Sequence, residues 1–225
     1  MPVVAAQNRL SRIIRVLART KVQELNRLKR NSSDLERADF LWHYLLQSFA
    51  TMGRSSGRQG LIENQNNYRR ITYEVLELLT DIARATEIYD VCRIARIRMP
   101  DRKARFILGC FEHIRDLGGP AAAKAALLSC VGRESKIRFL KEFPGIGPKY
   151  ARNIMMDVYH KDFRDSIAID VRIKSVSALL GVSFPSYSAH ENFYLEVARR
   201  SGVNGWELDR ILYNYRTEVE QALSY

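Results

Sequence analysis

IRFLKEFPGIGPKYARNIMMDVYHKDFRDSIAIDVRIK, residues 137–174, holds a tight turn between two helical patterns. Ile137, Leu140 and Lys141 lie on a helix that stops at Phe143-Pro144. Gly145-Ile146-Gly147 follows as a tight turn, and Pro148 suits the first position of a new helix, where its missing N–H would be orphaned anyway. Ala151, Ile154, Met155 and Val158 then recur at helical spacing. Gly145 and Gly147 permit positive φ, and their missing side chains allow close backbone approach to a partner. The free N–H groups at the positive end of the second helix suit an anion such as a phosphate. An ordinary αα-corner built around PGIG is the competing reading.

Outward from this segment the periodicity is helical nearly throughout. Over residues 5–30, Leu10, Ile13, Ile14, Leu17, Leu25 and Leu28 recur mainly at three- and four-residue steps, with Arg12, Arg15 and Arg19 on another face. Residues 35–52 form a more apolar helix, capped by Ser33 or Asp34. GRSSGRQG, residues 53–60, reads as a flexible loop. Helical patterns resume at about 66–86, 87–97, 101–117, 120–130 and 134–142, punctuated by Gly118-Gly119-Pro120. Residues 167–173 are rich enough in β-branched side chains to read as helix or strand, but one short strand makes no sheet. Trp206, Leu208, Ile211, Leu212 and Tyr215 anchor the C-terminal helix as core, and Trp42 and Tyr44 pack a helix face. The fold class is all-α.

A chain of 225 residues that is 46% apolar can bury a sizeable core, which argues against intrinsic disorder. No uncharged apolar run approaches the roughly 18 residues of a membrane span. The start, MPVVAAQNRL, does not read as a secretory signal. Cys92, Cys110 and Cys130 lack CxxC spacing, which argues against a disulfide framework and a four-thiolate metal or iron–sulfur site, and for a reducing interior. His43, His113, His160 and His190 show no zinc-ligand spacing. The 36 Lys+Arg outnumber 25 Asp+Glu, for a net charge of +11, and the excess is clustered. Residues 1–37 and 93–105 are its main concentrations, patches of the kind that meet a polyanion, most often nucleic acid. The expectation from composition is an intracellular protein, in the cytoplasm or nucleoid if prokaryotic, that meets nucleic acid and no membrane.

The motif Leu140-x-x-Phe143-Pro144-Gly145-Ile146-Gly147-Pro148-Lys149-Tyr150-Ala151, followed by Ile167-Ala168-Ile169-Asp170-Val171, resembles the helix-hairpin-helix-GPD superfamily of DNA glycosylases. Residues 45–51, LLQSFAT, are similar to the family's LLSxQxT helix end, and Lys103-Ala104-x-x-Ile107 to its basic helix. The resemblance covers roughly residues 36–180. It implies a two-lobed all-α fold with a DNA-binding cleft between the lobes, and narrows the expectation to a monomer on double-stranded DNA. One lobe would span 36–165, with the helix-hairpin-helix at about 134–160; the other would join 1–35 to 166–225. Lys149 falls on the family's catalytic lysine, present in glycosylase/lyase members, and Asp170 on its catalytic acid. DNA contacts are then expected from Gly145, Ile146, Gly147 and Pro148, from Arg172, Lys103 and Arg105, and from Gln47, Phe49, Arg54 and Arg58. The sequence departs from the family at Arg172, where histidine is usual, and at Phe49, where a strand-wedging glutamine is common. Phe49 suits either helix packing or a wedge in the DNA stack, and Arg54 and Arg58 either phosphate contact or solvated flexibility. The loop 160–166 carries neither Gly nor Pro, and the family's four-cysteine iron–sulfur loop is absent.

The resemblance implies a definite chemistry. Cleaving an N-glycosidic bond develops positive charge on the sugar, which a fixed carboxylate stabilises. An amine attacking C1′ displaces the base and leaves an imine, which acidifies the C2′ proton and allows β-elimination. The expected enzyme flips a damaged base from the duplex, forms a lysine Schiff base and nicks the strand. No metal or organic cofactor is needed, though a monovalent cation at the hairpin suits the phosphate contact. Oxidised bases are the expected substrates; between 8-oxoguanine and oxidised pyrimidines the sequence does not decide, and absence of the iron–sulfur loop tilts slightly toward 8-oxoguanine. Two alternatives stay open: a non-catalytic helix-hairpin-helix DNA-binding protein, and a monofunctional glycosylase in which Lys149 is incidental. An aspartate before an apolar helix is also an ordinary N-cap, and Asp170 suits both roles.

Overall fold

Helices make up nearly all the regular structure of the computed structural model, which describes residues 2–53 and 56–224, and no β-strand occurs among them. The all-α reading holds. In chain order the helices are α1 (Val3–Thr20), α2 (Val22–Lys29), α3 (Phe40–Thr51), α4 (Gln65–Arg70), α5 (Tyr73–Glu77), α6 (Asp81–Ile94) and α7 (Pro100–Asp116). They continue with α8 (Pro120–Ser129), α9 (Gly132–Lys141), α10 (Pro148–Asp157), α11 (Val171–Leu179), α12 (Tyr187–Ser201), α13 (Gly205–Asn214) and α14 (Arg216–Ser224). The described chain forms two compact units, Asp34–Ile154 and Met1–Ser33 with Met155–Tyr225, so α10 begins in one and ends in the other. No helix among the described residues is long and apolar enough to cross a membrane.

In the unit Asp34–Ile154 the core is aromatic. Trp42 of α3 meets Tyr73 and Phe111 edge-on, and its indole N–H donates to Ile71 O at 2.9 Å, so the one polar atom of a fully buried ring is satisfied. The other unit is built on α1 against α12, where Ser11 Oγ donates to Val197 O at 3.3 Å and Ser201 Oγ to Ser11 O at 3.3 Å. Trp206 is buried there as expected and donates from its indole to Met156 O at 2.6 Å, while Tyr215 is only half-buried.

Several local expectations are corrected. The helix over 5–30 breaks at Lys21, where φ is −108° and ψ 14°. The helix over 35–52 starts at Phe40; Ser33 and Asp34 belong to a 3₁₀ stretch, and the Asp34 carboxylate instead accepts from Tyr44 OH at 2.8 Å. Residues 66–97 are three helices rather than two, because the Thr72 and Thr80 hydroxyls cap new starts by accepting from Val75 N and Ala83 N. Of the flexible loop read at 53–60, residues 54 and 55 lie outside the described residues, and the part from 56 onward is corrected. Arg58–Ile62 is a π-helical turn, and Gly57 before it and Gly60 within it serve close packing. A Cβ on Gly57 would lie 2.3 Å from Ala50 O, and one on Gly60 2.1 Å from Ala95 O.

Candidate active site

The hairpin is built as its sequence dictates. After α9, Phe143 N–H donates to Leu140 O at 3.3 Å and Ile146 N–H to Phe143 O at 3.1 Å, turning the chain back on itself. Gly145 takes φ +81°, and a Cβ there would sit 2.5 Å from Phe106 Cδ2 of α7, so both backbone and packing require glycine. Gly147 is different: it does not adopt positive φ, and a Cβ on it would meet nothing within 4 Å. Its bare backbone therefore faces open space. Between them, the Ile146 side chain is 5% exposed and anchors the turn, so any DNA contact at Ile146 falls to its backbone. Pro148 is exposed at the first position of α10. Lys149 follows, half-buried, with Nζ 4.7 Å from the centre of the Tyr150 ring.

Through Phe106, the structure connects the hairpin to two residues read from distant segments, Phe49 and Lys103. Phe106, against Gly145, lies 5.9 Å from Phe49, ring centre to ring centre, and Lys103 Nζ lies 5.8 Å from the Phe49 ring. Phe49 is fully buried, a core ring rather than a wedge. Lys103 is buried as well, and its Nζ has no hydrogen-bond partner. Burial, with Arg102 and Arg98 adding repulsion, draws its ammonium down to about 8. As placed, Lys103 is shielded from a phosphate. Arg105 is exposed and Gln47 half-buried. Arg58 is exposed and paired with Glu63 at 2.9 Å. Arg54 lies outside the described residues.

Asp170 belongs to the other unit. It is the N-cap of α11, its Oδ1 accepting from Arg172 N at 2.9 Å and Ile173 N at 3.1 Å. Arg172 is half-buried, its guanidinium 4.1 Å from the centre of the Tyr213 ring. The β-branched residues before the cap form neither helix nor strand. With no sheet to pair with, their N–H groups go to side chains: Ile167 N to Glu191 Oε1 at 3.1 Å, Ala168 N to Asp209 Oδ1 at 2.9 Å, and Ile169 N to Tyr187 OH at 2.9 Å. Sequence reasoning did not single out these three acceptors. Asp209 alone left a signal, a carboxylate on the buried face of α13 beside Leu208 and Leu212.

No family model matches the chain, and comparison with curated proteins finds no relative. Among solved structures, the 8-oxoguanine DNA glycosylase of Methanocaldococcus jannaschii is similar with a TM-score of 0.68 at 16% identity, covering 92% of this chain and 94% of that one. The 8-oxoguanine DNA glycosylase of Thermotoga maritima gives 0.66 at 15%, covering 92% and 96%. The M. jannaschii 8-oxoguanine glycosylase/lyase in complex with a 15mer DNA containing 8-oxoguanine gives 0.67 at 16%, covering 92% and 97%. At this identity the likeness is one of fold, and it bears out the resemblance read from the hairpin: the chain has the helical fold of the helix-hairpin-helix-GPD DNA glycosylases.

Proposed function

We propose that this protein is a base-excision DNA glycosylase with AP-lyase activity, acting on oxidised bases and on 8-oxoguanine in particular. The observation that carries the reading is the hairpin: Gly145 locked by Phe106, Gly147 bare, and a lysine in the first turn of the following helix. That arrangement presents backbone N–H groups to a DNA phosphate and an amine beside them. The three solved neighbours are 8-oxoguanine enzymes, and one is a glycosylase/lyase bound to DNA containing 8-oxoguanine. They support the substrate class.

In this reading the lesion is turned out of the duplex. The Lys149 amine attacks C1′, the N-glycosidic bond breaks, and the base leaves with the bonding pair and takes up a proton. Asp170 stabilises the positive charge that develops on the sugar. The nitrogen's remaining bond to C1′ becomes an imine as the sugar ring opens, and loss of the C2′ proton expels the 3′ phosphate. Water then hydrolyses the imine and returns the amine. Arg172, with its guanidinium 4.1 Å from the centre of the Tyr213 ring, keeps its positive charge through the pH range in which a histidine there would titrate.

Borohydride trapping on duplexes carrying 8-oxoguanine or an oxidised pyrimidine tests this directly. A covalent protein–DNA adduct is expected on the 8-oxoguanine duplex, abolished in Lys149→Ala. Base release without an adduct would replace the reading with a monofunctional glycosylase. Binding without base release would replace it with a DNA-binding protein.

A further inference from the structure

Residues 164–170 follow a path that the neighbouring helices dictate at almost every step. Arg164 O accepts from Trp206 N at 2.8 Å, and the Asp165 carboxylate from Gly205 N at 3.3 Å. Gly205 must be glycine, since a Cβ on it would lie 2.8 Å from Ser166 N. Glu191, Asp209 and Tyr187 then take the next three amides in turn, and Tyr187 OH also donates to Ile167 O at 2.9 Å, bridging two residues of the same stretch. The stretch ends at the Asp170 cap.

We infer that Tyr187, Glu191 and Asp209 are positioning residues that fix the backbone leading into Asp170, and so the carboxylate itself; the inference rests on the glycosylase reading above. An unpaired amide can be satisfied by water or by a neighbouring carbonyl, whereas burying a carboxylate is costly. Here two carboxylates are spent on consecutive amides, Glu191 at 2% exposure and Asp209 at 4%. Burial pushes the Asp209 carboxyl up to about 6; Arg210 and the Ala168 bond oppose this, while Asp170 and Asp157 add to it. What the arrangement supplies is a backbone held from two helices, α12 and α13, immediately before one functional side chain. Displacing such a group by about an ångström can lower a rate about a hundredfold.

Tyr187→Phe is the first test, because it keeps the ring and removes only the bridging hydroxyl. Amide exchange at Ile169 should accelerate, release of 8-oxoguanine should slow about tenfold or more, and affinity for an abasic duplex should change less than about twofold. In an Asp170→Asn background the same substitution should slow the residual reaction no further, since Tyr187 acts through Asp170. Asp209→Asn keeps an acceptor for Ala168 N and should retain exchange protection, with turnover within about threefold of wild type. Wild-type turnover in Tyr187→Phe, or an equal loss in the Asp170→Asn background, would overturn the positioning role. A loss in Asp209→Asn as deep as in Asp170→Asn would make Asp209 a group that acts through its charge, which also overturns it. A wild-type protein that protects these amides yet releases no base overturns the glycosylase reading itself, and the positioning role falls with it.

Discussion

Lys103 is the residue where burial and charge conflict most plainly. It is 4% exposed, its ammonium lies over the Phe49 ring, and its Nζ makes no hydrogen bond. A folded-state value of about 8 against the ordinary 10.5 means that between those pH values the unfolded chain holds a proton the folded chain lacks. Stability therefore rises with pH through that window, and below about pH 8 the cost of the buried charge is fully present. Lys103→Met should stabilise the fold by about 1–3 kcal/mol at pH 7 and flatten the rise between pH 8 and 10 in urea melts. A destabilised variant at pH 7 would mean that the ammonium is held by an attractive partner. The burial was legible: Lys103, Ile107, Cys110 and Ile114 form a three- and four-residue stripe, all buried. The basic run around it drew attention to charge instead. Asp170 as a cap was equally legible, from an aspartate ahead of apolar helix positions. Tyr187 and Glu191 were not, because their bonds to Ile169 and Ile167 close over 18 and 24 residues, and no local pattern encodes such a pairing.

At the level of elements, helices with explicit start signals were read nearly to the residue. Pro100, Pro120 and Pro148 each stand at the first position of α7, α8 and α10, where the missing N–H loses nothing. The reading failed where hydroxyl caps divide one apolar pattern, at Thr72 and Thr80, and where glycine was taken as a sign of mobility. Gly57 and Gly60 show the difference between a glycine that frees a chain and one that lets two backbones touch. The two readings make opposite predictions for Gly60→Ala. In a solvated loop the substitution would be nearly neutral or slightly stabilising, by up to about 1 kcal/mol. Against Ala95 O, 2.1 Å from the new Cβ, it should cost about 3 kcal/mol or more, since backbone cannot step aside as a flexible side chain does. Urea denaturation of the variant measures which applies, and a change under 1 kcal/mol would return the segment to the status of a loop.

For the molecule as a whole, the net charge of +11 becomes an argument about DNA once its placement is considered. Of the basic side chains in the run 93–105, Lys103 alone is buried; Arg93, Arg96, Arg98, Arg102 and Arg105 are exposed. Arg102 packs over Phe106, the ring that fills the space at Gly145, so the exposed charges at the start of α7 and the hairpin belong to one assembly within the unit Asp34–Ile154. Arg15 of α1 has a different setting, since its Nη2 donates to Arg200 O at 2.7 Å and so serves the packing of α1 on α12. If the protein neutralises about five phosphates, affinity for duplex DNA should fall about 500-fold between 50 and 200 mM salt. Charge that serves solubility alone would give a shallow slope. The joint variant Arg102→Gln/Arg105→Gln should lower the slope of log affinity against log salt by about 1.8. Arg12→Gln/Arg19→Gln, which removes the same charge from α1, should lower it by less than half of that. Equal reductions in the two variants would show that total charge governs binding, and would remove the start of α7 from the proposed DNA-binding surface.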